Sequence, residues 1–359
     1  MGSFGYIFSK ICTRGEAEMK LYLIKLTNNC NMLCKMCGQR IRNERYNKSN
    51  LNFDKIINFF DADIEGDNVC LWGGEPLLYN QLIEVVTFFK SKGCQVGIIT
   101  NGYYLEKYVQ DLIDLKIDYI TISIDGPREI HNKIRGIEDA YEVAVRNCKM
   151  IIAEKQRMGI KHHLHININY TIQEENINYM FDFSRQIEQL GCQSVTFNFP
   201  ILNNEEMCEK MNSDINNPFG ACLSSWKGYI EKEIHIDCEE LSKICNRINK
   251  EIASNTFEVR WSTGAMPLSF FYINKYFYQL EEYLYGSKDY CLCNLASSTI
   301  AIEPNGDIVL CPDYPDTIIG NISDVKLSMY NIMDEKKKIF QHYPTLPMCL
   351  RCCHVKTSQ

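Results

Sequence analysis

The sequence predicts an α/β protein: a parallel sheet covered by helices, followed by a smaller α+β unit. Three observations lead there. From Lys20 to Pro200, six apolar strand-like runs alternate with longer amphipathic runs. From Leu202 to Gly220 a run rich in Asn, Asp and Glu breaks that alternation. The tail from Cys291 then carries a hairpin signature: STIAIE, the turn Pro304-Asn305-Gly306-Asp307, and IVLC. The six runs are almost continuously apolar, as expected of parallel strands buried on both faces. Periodicity leaves open whether the sheet is open, a partial barrel or a full one.

The expected strands are Leu21–Thr27, Asn68–Trp72, Gln95–Thr100, Tyr119–Asp125, His163–Tyr170 and Ser194–Pro200. Between them, Phe53–Phe60, Gln81–Lys90, Leu105–Leu115, Ala140–Met158 and Glu174–Leu190 have helical spacing. Leu202–Gly220 reads as a loop or linker. A helix is expected over Tyr229–Ile252 and a short strand over Phe257–Trp261. Phe270–Tyr285 is dense in aromatics and reads as a helix packing between domains, with a substrate wall as the alternative. The expected organisation is an extension over 1–19, the sheet domain over 20–215, a connection over 216–286 and the small domain over 287–359.

The chain has 359 residues, 45% of them hydrophobic and 23% charged, which excludes global disorder. Its net charge of -7 gives no basic surface for nucleic acid. No apolar run approaches the roughly 18 to 20 residues of a membrane span, and the amino terminus lacks the apolar stretch of a signal peptide. The expected location is the cytoplasm. There, 18 cysteines point to metal binding rather than a disulfide framework.

The strongest motif is CNMLCKMC, directly after the first strand, with Cys30, Cys34 and Cys37 in C-x3-C-x2-C spacing. A short loop can bring three thiolates to one side of a small inorganic cluster, leaving one iron of a four-iron cube open to another molecule. A zinc site would need a remote fourth ligand. Downstream, Gly73-Gly74-Glu75-Pro76 closes strand two, Thr100-Asn101-Gly102 closes strand three, and Ser123 and Asp125 close strand four in SIDGP. His131 and Arg135 lie in HNKIRG, and Asn169 ends strand five. These positions share the carboxyl ends of the strands, where α/β folds keep their sites.

The spacing, its position and the order of these motifs resemble the radical S-adenosylmethionine (radical SAM) superfamily. The resemblance implies a partial (β/α)6 barrel and a [4Fe-4S] cluster on Cys30, Cys34 and Cys37, whose open iron chelates SAM. It further implies reductive cleavage of SAM to a 5′-deoxyadenosyl radical that removes hydrogen from an unactivated C–H bond. The Gly73, Gly74 and Glu75 loop would bind the SAM amino group. Ser123 and Asp125 would meet the ribose and carboxylate, Arg135 would form a bidentate pair with the carboxylate, and Asn169 would bond ribose or adenine. His131 reads as structural.

In the tail, Cys293 and Cys311 flank the hairpin, and Cys349 and Cys352 follow at the carboxyl end. Four thiolates complete a second [4Fe-4S] cluster. The arrangement resembles the short "twitch" version of the SPASM domain, a hairpin and a helix around one auxiliary cluster. Cys291 could replace Cys293, and Cys353 could replace Cys352. A four-cysteine zinc ribbon is the competing reading. Cys222, in FGACLSSW, is a candidate hydrogen-atom donor to a substrate radical.

Similar proteins with one auxiliary cluster act on peptides or on sugars and aminocyclitols. Only about 20 residues precede the first strand, too few for a separate leader-binding domain. The expected reaction is therefore oxidation or epimerisation of a small polar metabolite, as in natural product biosynthesis. Its electron would come from a donor such as flavodoxin or ferredoxin under anaerobic conditions. Peptide cross-linking or epimerisation is the alternative. A non-catalytic iron-sulfur or zinc protein is the reading from another class. Replacing Cys30, Cys34 and Cys37 by alanine should lower bound iron from about eight to about four per chain. Iron, sulfide and zinc analysis of anaerobically reconstituted protein checks this, and zinc in place of the residual iron would remove the auxiliary cluster.

Overall fold

The computed structural model describes residues 20–42, 47–60, 64–159, 164–203, 205–213, 217–219, 223–229, 235–254, 260–262, 299–324 and 329–342. Cys222, Cys291, Cys293, Cys349, Cys352, Cys353, the Phe270–Tyr285 segment and the extension over 1–19 lie outside these residues.

Six parallel strands run in sequence order: β1 (Leu21–Lys25), β2 (Asn68–Trp72), β3 (Gln95–Thr100), β4 (Tyr119–Ser123), β5 (His165–Thr171) and β6 (Ser194–Asn198). They are the six expected from the apolar runs. A short seventh strand, β7 (Arg260–Ser262), pairs parallel to β6. The expected hairpin forms as β8 (Thr299–Ile302) and β9 (Asp307–Cys311), with Gly306 at φ 91° in its turn. A third strand, β10 (Tyr314–Asn321), has no counterpart among the expected elements and extends the hairpin. The hairpin joins the main sheet, because β8 pairs parallel with β1. One open sheet results, in the order β10-β9-β8-β1-β2-β3-β4-β5-β6-β7.

Helices are α1 (Gly38–Ile41), α2 (Phe53–Phe59), α3 (Leu82–Ser91), α4 (Val109–Asp114), α5 (Arg128–Arg135), α6 (Ala140–Arg157) and α7 (Met180–Leu190). They are followed by α8 (Glu205–Asn212), α9 (Cys238–Ala253) and α10 (Met329–His342). Helix α8 corrects the loop expected there. Its EEMCEKMN sequence is polar, and among its described side chains the inward ones, Cys208 and Met211, are three apart, too short a pattern to stand out. The helix expected from Tyr229 begins at Cys238, where Asp237 Oδ1 caps it by accepting from Glu240 N at 2.9 Å.

Alternate residues of each strand feed two cores. Tyr22, Ile24, Val69, Leu71, Ile98, Ile120, Ile122 and Ile168 pack outward against helix residues such as Val86, Phe89, Leu112, Ile151 and Ile187. Leu21, Leu23, Cys70, Trp72 and Tyr119 face the opposite way and meet Ala301, Val309 and Cys311 of the hairpin and Trp226. Burial on both faces is why the strands read as unbroken apolar runs. No helix among the described residues is long and apolar enough to cross a membrane.

Lys25, fully buried at the end of β1, donates to Glu303 Oε2 at 2.9 Å, and its ammonium stands 5.6 Å from the Trp72 ring centroid. This ion pair joins β1 to the hairpin turn. Lys25→Ala should destabilise the protein by about 3–5 kcal/mol, because it strands a buried carboxylate. The double variant Lys25→Met/Glu303→Leu should recover most of that loss in urea unfolding.

Candidate active site

The site forms where the carboxyl ends of the strands open into loops. The cysteine loop leaves β1 at Thr27 and ends at Cys37, the N-cap of α1. It has little regular structure, so neighbouring segments fix it. Gly74 N donates to Thr27 O at 2.7 Å and Glu75 N to Asn29 O at 2.7 Å. Asn101 Nδ2 donates to Asn31 Oδ1 at 2.8 Å. On the far side, Leu33 N donates to Arg135 O at 2.9 Å and Lys35 N to Ile134 O at 3.1 Å, at the end of α5.

Gly73 and Gly74 are required by this packing. A Cβ on Gly73 would lie 2.6 Å from Thr27 O, and one on Gly74 would lie 2.2 Å from Asn29 O. The missing side chains make room for the cysteine loop's own backbone.

Cys30, Cys34, Cys37, Gly73, Gly74, Glu75, Ser123, Arg135 and Asn169 line one cavity of about 620 Å³. Ser123 and Asn169 are register neighbours on β4 and β5. Asp125 lies beneath the cavity, fully buried, with Oδ2 accepting from Arg135 Nε at 2.6 Å and Oδ1 from Thr171 N at 2.8 Å. The resemblance implies an Arg135 that faces a ligand carboxylate; here its guanidinium pairs with Asp125, and its Nη1 reaches Cys34 Sγ at 3.6 Å. His131 is structural. Its Nδ1 accepts from Asp125 N at 2.9 Å, and burial together with Arg135 holds it well below the usual histidine range, hence neutral.

The cavity also includes residues that carry no motif. Trp72 and Asn198 line it, while Trp72 Nε1 and Asn198 Oδ1 themselves are buried without a hydrogen-bond partner in the protein. Each had a signal in the sequence: Trp72 immediately precedes Gly73-Gly74, and Asn198 ends β6 as Asn169 ends its own strand run. Tyr229 packs its ring against Gly38 and donates to Asp313 Oδ1 at 3.2 Å, two residues beyond Cys311. One ring thus spans from the cysteine loop to the hairpin. Cys311 is buried at the end of β9.

The donor set suits an iron-sulfur cluster. Burial pushes the thiols of Cys30 and Cys34 above the usual cysteine range, so they need a cation to ionise, and iron supplies one. Among the described residues, no three Cys, His, Asp or Glu side chains converge tightly enough for a single metal ion.

Family comparison agrees with this geometry. The Radical SAM superfamily model matches residues 24–180, and the SPASM model, an iron-sulfur cluster-binding domain, matches residues 293–353. The chain carries a radical SAM domain followed by a SPASM domain. The two matched models fit S-adenosylmethionine and two [4Fe-4S] clusters as the cofactors of this radical SAM chain. It is 29% identical over 147 residues to a probable GTP 3′,8-cyclase of Methanococcus maripaludis, covering 37% of this chain and 49% of that protein. It is 25% identical over 183 residues to an AdoMet-dependent heme synthase of Oleidesulfovibrio alaskensis, covering 49% of this chain and 44% of that one. The chain thus spans about half the length of the curated relatives it matches. Its fold is shared with Streptococcus suis SuiB bound to the precursor peptide SuiA, at a TM-score of 0.60, 14% identity, and 88% and 64% coverage of the two chains. It is shared equally with anSMEcpe bound to AdoMet, at a TM-score of 0.60, 14% identity, and 94% and 89% coverage.

Glu75 is almost fully buried, and its carboxylate accepts from Leu77 N, Thr100 Oγ1 and Asn101 N at 3.1, 2.6 and 2.8 Å. Burial outweighs these donors and pushes its carboxyl from 4.5 up to about 7. The folded chain therefore holds this proton more tightly than the unfolded one. The stabilisation is full below the unfolded value and is lost as pH rises through the folded one. The cluster-free protein should lose about 3 kcal/mol across that window from this group. Urea unfolding at a series of pH values should show the decline, and Glu75→Gln should flatten it.

Proposed function

We propose that this chain cleaves S-adenosylmethionine reductively and uses the resulting radical to remove hydrogen from an unactivated C–H bond of a small polar metabolite. The observation that carries this reading is one cavity walled by the three thiols together with Gly73, Gly74, Ser123, Arg135 and Asn169. When bound, the cluster and SAM supply a 5′-deoxyadenosyl radical. The Gly73–Glu75 backbone receives the SAM amino group, Ser123 and Asn169 hold the ribose, and the Arg135 guanidinium faces the carboxylate. Asp125 orients that guanidinium from below. Cys293, Cys311, Cys349 and Cys352 would hold the auxiliary cluster, which would supply an acceptor for the electron lost when the substrate radical is oxidised. Cys222 remains a candidate hydrogen donor.

The polar part of the wall supports the substrate class. Asn101, Ser123, Asn169, Thr171, Gln173 and Asn198 all line the cavity. A buried polar group left unpaired costs about 1–3 kcal/mol, so a hydroxyl- or amine-bearing molecule such as a sugar or aminocyclitol is favoured over an apolar one. Peptide maturation is the second reading. It is supported by the fold shared with SuiB and by β10, an edge strand with Ile318 51% exposed, on which an extended peptide could pair. A flavodoxin- or ferredoxin-type donor in an anaerobic cytoplasm would supply the electron.

The test is anaerobic incubation of the reconstituted protein with SAM and dithionite. The expected product is 5′-deoxyadenosine, with deuterium entering it from a labelled substrate. Loaded clusters without 5′-deoxyadenosine would overturn the proposal. Ser123→Ala and Asn169→Ala should each weaken SAM binding about tenfold, the loss of roughly one hydrogen bond, as measured by equilibrium binding.

A further inference from the structure

The side chain of Arg135 is buried between two groups of opposite consequence. Its Nε donates to Asp125 Oδ2 at 2.6 Å, and its Nη1 donates to Cys34 Sγ at 3.6 Å. Asp125 is itself fixed, because Thr171 N donates to its Oδ1 at 2.8 Å and its own N donates to His131 Nδ1 at 2.9 Å. Arg135 is 9% exposed, Cys34 8% and Asp125 0%, so water screens none of these contacts well.

The guanidinium is not what anchors the cysteine loop. Main-chain bonds do that, from Leu33 N to Arg135 O and from Lys35 N to Ile134 O. Gly136, in the left-handed region at φ 69°, ends α5 against Leu33; a Cβ there would lie 2.8 Å from Leu33 Cβ. These contacts do not depend on the Arg135 side chain, so its approach to Cys34 has a separable effect.

We infer that Arg135 sets the reduction potential of the cluster through its hydrogen bond to Cys34, and that Asp125 limits how much positive charge reaches that sulfur. The inference rests on the reading that Cys34 ligates the SAM-binding cluster. Hydrogen bonds to ligand sulfurs and local charge are among the determinants of cluster potential. Reduction adds one negative charge to the cluster. A cation at the ligand sulfur favours the reduced state, and a carboxylate behind that cation opposes it. The two residues therefore act in opposite directions on one quantity. Arg135 is in this respect a positioning residue, acting through Cys34.

The test is a potentiometric titration of the reconstituted full chain, without SAM, followed by EPR. The Cys30→Ala/Cys34→Ala/Cys37→Ala variant supplies the auxiliary signal to subtract. Arg135→Gln should move the midpoint of the SAM-binding cluster to a more negative potential, Asp125→Asn should move it to a more positive one, and Arg135→Lys should fall between wild type and Arg135→Gln. A structural strut would lower iron content without opposed shifts. Unchanged midpoints, or shifts of the same sign with iron retained, overturn the inference. If Arg135→Gln fails to load iron, Asp125→Asn decides alone: a rise supports the inference, and no rise overturns it. If the triple alanine variant keeps all its iron, the ligand assignment itself fails, an outcome distinct from unchanged potentials in loaded protein.

Discussion

A loop carrying three cysteines holds a shape only if other parts of the chain impose one. Between Thr27 and Cys37 that shape comes from three sides: the Gly73–Glu75 loop, Asn101 after β3, and the carbonyls that end α5. Each of these is the continuation of a strand or helix with a deeply buried core face. The positions of the thiols are therefore inherited from the packing of β2, β3 and α5, and the remaining polar groups of the cavity are arranged around them. The Glu75 carboxylate takes part indirectly. It spends its oxygens on Leu77, Thr100 and Asn101, and so locks the β2 and β3 loops to each other.

The strands and the cysteine motif are legible in the sequence because each leaves a dense local signal. Six runs buried on both faces read as unbroken apolar segments, and three cysteines within eight residues rarely fall together by chance. The elements that escape have a diluted signal. Among the described side chains, helix α8 buries Cys208 and Met211 between polar residues, and α5 shows only Ile134 as an apolar residue turned inward beside His131 and Arg135. The glycines of GGEP stand out, but their pattern suggests close approach to a ligand, whereas their immediate neighbour is the backbone at Thr27 and Asn29. Arg135 can be picked out by motif, but its pairing with Asp125 depends on how α5 returns toward β4. Trp72 and Asn198 stand at telling places in the sequence, before Gly73-Gly74 and at the end of β6, but that each buries an unpartnered polar atom is visible only in three dimensions.

The hairpin is tied to β1 by Lys25 and Glu303, and to the cavity wall by Tyr229 and Asp313. Tyr229 touches Gly38, the residue after Cys37, so a movement of the hairpin reaches the cysteine loop through one aromatic ring. Cys311 ends β9, two residues before the Asp313 that Tyr229 bonds.

The pairing of β1 with β8 also bears on how the chain is made. Lys25 and Glu303 are 278 residues apart in sequence. Strand β1 finds β2 for one edge soon after it is made, yet its other edge waits for β8, far downstream. During that interval an apolar strand edge stays open, the situation that favours mispairing and aggregation. Non-local pairing of this kind also slows folding. Until β8 docks, the β1 edge that ends at Lys25 is therefore open to mispairing, and the buried Lys25–Glu303 pair forms only once the correct partner has arrived.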